Sequence, residues 1–295
     1  MRKSMSMANS SGGKGSDVES EPISGSNESE ALAAEGDDEQ ASQAESGSLT
    51  ESDPDPILPK SLMIFVAGLG TEYPGVHRND NVKRLTHTEI FSFNPERIFG
   101  EKGSIENLDD IVKELLDIVL NSAMDLEPDL SELGLGFMAA DLGGMIVKRA
   151  LLRASEHAKY RGIYERTSLL VFFGTPHQES KISSWGTTIL SIIEDTYQGL
   201  WGPWVPHRIY HLSLYLKKLR LDFHKILSKF RIINYVQDLP ESSSEVLTVH
   251  KSCAELQGFN VTNIRCNLTH FELTRFVSYS SAEDYIIERI GDALT

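Results

Sequence analysis

The stretch from Phe137 to Leu151, FMAADLGGMIVKRAL, constrains this chain more than any other. The run Leu135 to Ala139 is apolar without polar alternation, the pattern of a strand buried on both faces. A sharp turn at Asp141 follows, and Gly143 and Gly144 lead into an apolar helix. Small residues around such a turn let the backbone pass close to itself and push one side chain out. That side chain is Asp141. A buried strand, a tight turn and a packed helix in direct succession belong to an α/β architecture with a mostly parallel sheet.

The rest of the chain repeats this alternation. Leu62 to Ala67 is a continuous apolar run ending in Gly68-Leu69-Gly70, a turn able to present backbone N–H groups to a ligand. Thr88 to Phe93 alternates and predicts a second strand. Ile105, Leu108, Ile111, Val112, Leu115, Leu116 and Val119 fall at helical spacing, with Ser104 as the expected cap, and Pro128 ends that pattern. The elbow helix is expected to run to about His157. Thr167 to Phe173 reads as a buried strand entering Gly174-Thr175-Pro176-His177. Ile182 to Tyr197 and Ile209 to Phe230 predict helices, with Trp201 and Trp204 between them. Arg231 to Val236 is expected as a strand, Val246 to Val249 as the last strand, His270 in a loop, and Ala282 to Leu294 as a closing helix. Buried strands alternating with amphipathic helices predict a central sheet covered on both faces.

The first fifty-eight residues differ from this body. Ser4 to Thr50 holds no aromatic residue, and thirteen acidic against three basic side chains lie before Pro59. About −10 of the formal charge of −15 therefore sits there, leaving about −5 for residues 59–295. Low hydrophobicity with like charge does not offset the entropy of ordering, so residues 1–58 read as a disordered acidic tail, either an interaction arm or a solubilising extension. No basic stripe points to nucleic acid. No apolar run reaches the ~18 residues needed to span a bilayer. The N-terminus lacks the apolar core of a secretory signal, and its acidic continuation is unlike a transit peptide. Cys253 and Cys266 fit a reducing compartment. Without a signal sequence, Asn27-Glu28-Ser29, Asn260-Val261-Thr262 and Asn267-Leu268-Thr269 read as chance matches to the glycosylation triplet.

Four motifs, in order, carry a resemblance. They are Val66-Ala67-Gly68-Leu69-Gly70, the elbow Phe137 to Leu151, Phe172-Phe173-Gly174-Thr175-Pro176-His177-Gln178-Glu179-Ser180, and Thr269-His270-Phe271-Glu272-Leu273-Thr274-Arg275-Phe276. Over most of residues 61–290 the chain resembles the serine-esterase-like α/β-hydrolases of the serine-active-site-containing proteins. Similar domains stand at the N-terminus of fungal NACHT-type and NB-ARC-type receptor proteins. The resemblance implies an α/β-hydrolase fold, a catalytic position at Asp141, a histidine at His270, an acid near Asp238, and oxyanion donors from Gly68, Leu69 and Leu142. It implies neither cofactor nor metal. Its departures are specific: the family's serine is Asp141, the histidine before the first glycine is Ala67, and the acid position falls at or near Gln237.

An active esterase needs a hydroxyl that attacks, a histidine that takes its proton, an acid that orients the histidine, and amides that hold the oxyanion. Asp141 has no proton to give and opposes a developing negative charge. Two readings of it stand: a helix N-cap, worth about 0.5–2 kcal/mol, or a carboxylate nucleophile that attacks an sp³ carbon while His270 activates water. His270 reads as a hydrogen-bonded histidine or as that base, Asp238 as a turn residue or the acid, and His177 as packing. The expected protein is a cytoplasmic, catalytically degenerate esterase- or lipase-like domain that binds a ligand or a protein. The alternative is an active hydrolase built on Asp141 and His270, its ligand a small ester or lipid-like molecule. The resemblance also allows association with mitochondrial or endoplasmic reticulum membranes.

Overall fold

A computed structural model describes residues 61–69, 86–127, 133–199, 202–240 and 246–275. The acidic tail, Gly70, Trp201 and the expected closing helix Ala282 to Leu294 lie outside the described residues. Among the described residues six strands form one sheet: β1 Ser61–Val66, β2 Thr86–Phe91, β3 Gly134–Ala140, β4 Thr167–Phe173, β5 Arg231–Gln237 and β6 Val261–Cys266. Their spatial order is β2-β1-β3-β4-β5-β6, and every pairing is parallel. All strands therefore end on the same edge, where ligands bind in open α/β sheets.

The apolar runs explain this arrangement. All six residues of β1 are buried, and the five from Leu62 to Val66 alternate between two clusters. Leu62, Ile64 and Val66 join Phe137, Ala139, Leu170 and Phe172 on one face, while Met63 and Phe65 join Met138, Val171 and Phe173 on the other. Each such side chain contributes about 1.5–3 kcal/mol by leaving water, so a one-residue slip in register would move whole sets to the wrong face. Numbered in chain order, the helices are α1 Glu96–Phe99, α2 Glu106–Leu126, α3 Gly143–Glu156, α4 Arg161–Arg166, α5 Trp185–Tyr197, α6 Val205–His224, α7 Lys251–Ala254 and α8 His270–Arg275. The seven apolar positions expected to face the sheet from α2 include Leu108, Ile111, Val112, Leu115, Leu116 and Val119, all buried.

Several expectations shift. The second strand lies two residues earlier than its alternation suggested, because Thr86 to Phe91 matches β1 residue for residue. No side chain caps α2, although Ser104 precedes it. α5 starts at Trp185, where Ser184 Oγ accepts the Thr187 N–H, and Ile182 before it is exposed. α6 starts earlier, with Pro206 in its first turn, and ends at His224, because Leu227–Lys229 tightens into a separate 3₁₀ turn. Val246 to Val249 is not a strand. The sixth strand is Val261–Cys266, whose half-exposed residues carry no apolar run and overlap one of the glycosylation triplets. His270 lies not in a loop but at the first position of α8.

Candidate functional site

β1 and β3 pair in parallel with Val66 opposite Ala139, so the turns that follow them meet. Asp141 adopts φ +49°, the left-handed region that aspartate tolerates better than most residues. Three bonds hold it there. Its N–H donates to Phe173 O at 2.9 Å, and its carbonyl accepts from Thr175 Oγ1 at 3.0 Å and from Gly144 N at 3.2 Å. The backbones then approach closely. A Cβ on Gly68 would lie 2.6 Å from Asp141 Cβ and 2.7 Å from Ala140 O, so only glycine fits beneath the elbow.

The Asp141 carboxylate does not cap α3, whose N-terminus has no side-chain cap. Its Oδ2 instead accepts the Leu69 N–H at 3.0 Å, a bond across 72 residues of chain. Its Oδ1 has no hydrogen-bond partner among the described residues and stands 3.8 Å from His270 Nε2. Asp141 is 1 % exposed and His270 5 %, so the pair is enclosed.

A reciprocal capping box positions His270. The Thr269 N–H donates to Glu272 Oε2 at 2.8 Å, and Glu272 N–H donates to Thr269 Oγ1 at 3.2 Å. Thr-x-x-Glu is a sequence signal for a helix start, and it would have placed His270 on α8 rather than in a loop. The imidazole lies over Gly174, where φ is +57° and a Cβ would come within 2.9 Å of Nδ1 and Cε1. His270 Nδ1 has no hydrogen-bond partner among the described residues.

The acid position lies elsewhere. The Asp238 carboxylate, on the turn after β5, is paired with Lys251 Nζ of α7, and that hydrogen bond holds it below the usual carboxylate range. Gln237 is buried and structural: Nε2 donates to Leu239 O at 3.1 Å, and Oε1 accepts Val249 N–H at 3.0 Å. The structure therefore brings together Gly68, Leu69, Asp141, Leu142 and His270, and sets Asp238 on an ion pair of its own. Ala67, where the resemblance expects histidine, donates its N–H to Phe91 O at 3.0 Å.

Sequence reading passed over two neighbours of this site. Thr175, from the Gly-Thr-Pro-His turn, locks the elbow carbonyl. Tyr197 lines a cavity of about 270 Å³ with Glu96, Phe99, Ile193 and Trp204, and burial, then the charges of Asp141 and Glu96, push its phenol up. Nothing local in the sequence ties Tyr197 to the elbow. Among the described residues no three His, Cys, Asp or Glu side chains gather where they would hold a metal ion, and no helix is long and apolar enough to cross a membrane.

No family model matches the chain. Over 167 residues it is 30 % identical to the ankyrin repeat domain-containing protein SAT10 of Stachybotrys chartarum, an alignment covering 48 % of this chain and 9 % of that protein. The chain thus spans about a tenth of its relative's length. Among solved structures, Bacillus licheniformis lipase BlEst2 is 13 % identical with a TM-score of 0.47, over 80 % of this chain and 94 % of that one. Paleococcus ferrophilus monoacylglycerol lipase is 12 % identical with a TM-score of 0.46, over 80 % and 96 %. Human thioesterase 2 is 14 % identical with a TM-score of 0.42, over 79 % and 95 %.

Proposed function

We propose that this is an esterase- or lipase-like α/β-hydrolase domain that does not hydrolyse esters and serves as a ligand- or protein-binding module of the cytoplasm. One observation carries the reading: the Leu69 amide donates to Asp141 Oδ2 at 3.0 Å. In an active esterase an amide at this turn is kept for the oxyanion. Here the chain's own carboxylate takes it. The same carboxylate has no proton for His270 to remove, and its charge opposes the one that would develop. The imidazole Nδ1 without a partner among the described residues and the Lys251-bound Asp238 support the same conclusion, since a catalytic histidine is oriented by an acid. The likeness to a small part of a much longer protein supports a modular role, since the matched stretch is one piece of a larger chain. The resemblance to receptor N-terminal domains points the same way, toward signalling.

The test is turnover of p-nitrophenyl acetate and butyrate by the full chain, Asp141→Ser and Asp141→Ser/His270→Ala. The wild type is expected at the rate of an unrelated protein. Serine removes both obstacles, so Asp141→Ser gains weak activity that His270→Ala abolishes. A silent Asp141→Ser would mean that the site has decayed beyond its nucleophile. Wild-type turnover that disappears with His270→Ala would overturn the reading.

The 3.8 Å approach of His270 Nε2 to Asp141 Oδ1 favours a second reading, a carboxylate nucleophile with histidine activating water. Incubation with an epoxide and a haloalkane in ¹⁸O water separates the two. A nucleophilic Asp141 gains about 2 Da per exchanged oxygen in the peptide that holds it; a binding module gains nothing.

A further inference from the structure

A cavity of about 220 Å³ lies between α3, the turn after β4 and the C-terminal end of α6. Lys148, His177, Gln178, Arg220, His224 and Gln257 line it with apolar neighbours, and no carboxylate among the described residues does. None of Gly68, Leu69, Asp141, Leu142 or His270 lines it. Lys148 lies five residues into α3 and is 5 % exposed. Among the described residues its ammonium reaches Pro176 O at 3.4 Å and the face of Phe172, 5.4 Å from the ring centre. A buried cation without an anionic partner is rare because desolvation is costly.

His177 is 2 % exposed, and its protonation is readable from its neighbours. Asn234 donates Nδ2 to Ala254 O at 2.8 Å and to Asn263 Oδ1 at 2.7 Å, which fixes the amide. Its Oδ1 therefore faces His177 Nε2 at 3.0 Å, so Nε2 carries the proton. Burial, then the Lys148 charge, pushes the imidazole well down, so the ring is neutral. Nδ1 is then a lone-pair acceptor, and it has no partner among the described residues. Arg220, at the exposed mouth, donates to Gln178 Oε1 at 3.2 Å and keeps four further N–H groups.

The occupant that fits has anionic oxygens for Lys148 and Arg220 and a hydroxyl for His177 Nδ1. We propose that this cavity is a binding site for a small phosphate, either hydrogen phosphate or a compact hydroxylated phosphate monoester. Monohydrogen phosphate carries both functions on one centre, and a monoester such as glycerol 3-phosphate carries them on neighbouring groups. The volume limits the ligand to a few heavy atoms beyond the phosphate, below the usual ~300–1,000 Å³ of drug-sized pockets. Burial holds the Lys148 ammonium down at about 7, and an adjacent anion would restore its charge on binding.

The test is calorimetric titration of the full chain with inorganic phosphate and with glycerol 3-phosphate, against chloride at matched ionic strength. Saturable 1:1 binding is expected. Arg220→Ala lies at the exposed mouth, so folding is preserved, and it should weaken binding roughly tenfold or more, as loss of a charged hydrogen bond does. Lys148→Met should abolish binding. Tighter binding of the monoester identifies an organic phosphate as the occupant, and equal binding identifies the free ion. Absence of saturable binding, or affinity unchanged in both variants, overturns the proposal. Asp141→Ser should leave the affinity unchanged, which keeps this result separate from the fate of the elbow.

Discussion

Replacing Lys148 by methionine should stabilise the protein at neutral pH. Burial pushes this ammonium from 10.5 down to about 7. At 1.36 kcal/mol per pH unit, the gap costs the folded state about 5 kcal/mol when the group is charged in both states. At pH 7 the folded-state amine is half neutral, which leaves a penalty of about 4 kcal/mol. Methionine has a similar length and no charge. It forfeits the contact with Phe172 and the long bond to Pro176 O, together about 1–2 kcal/mol. The expected net gain at pH 7 is about 2–3 kcal/mol. Between pH 7 and 10.5 the unfolded chain holds the extra proton, so the wild type gains stability as pH rises through that window. The advantage of Lys148→Met is therefore full below about pH 7 and fades toward pH 10. His177 faces Lys148 from the turn after β4, and Arg220 and His224 share its cavity, so all three belong in the comparison. Urea unfolding of both proteins at pH 6, 7 and 9.5, in phosphate-free buffer, reads this as a difference in midpoint at constant slope. A less stable Lys148→Met, or an advantage that does not change with pH, would refute an uncompensated buried charge.

Gly68→Ala should cost about 1–3 kcal/mol, because its Cβ would meet Asp141 Cβ and Ala140 O at 2.6 and 2.7 Å; a thermal midpoint equal to wild type would show that the two turns separate freely. Asn234→Leu should cost about 3 kcal/mol or more in chemical denaturation, since it strips partners from His177 Nε2, Ala254 O and Asn263 Oδ1 at once; a loss below about 1 kcal/mol would mean that water or repacking replaces all three.

The sequence and the structure agree where the determining pattern is local. Leu62 to Val66, Leu135 to Ala139 and Leu169 to Phe173 lie in buried strands because apolar runs of that length suit a parallel sheet covered on both faces. They disagree where tertiary neighbours supply the pattern. Val261–Cys266 is polar and half-exposed, and it becomes a strand by pairing with β5. Val246 to Val249 looks like a strand by composition, yet the Val249 N–H goes to Gln237 Oε1 rather than to a ladder.

At the site, the chain by itself determined that a carboxylate stands at the elbow, that glycines surround it, and that His270 follows later in the chain. Those are facts of residue type and order. Only the tertiary structure decided that the Asp141 carboxylate turns to the Leu69 amide instead of the α3 N-terminus. Likewise, only the fold decided that Asp238 serves Lys251, and that Lys148 is enclosed with no anionic partner among the described residues. A side chain's hydrogen-bond partner and its exposure depend on groups dozens of residues away, such as the 72 between Leu69 and Asp141. Sequence periodicity encodes which face a residue takes on its own element; it does not encode what another element will place against that face.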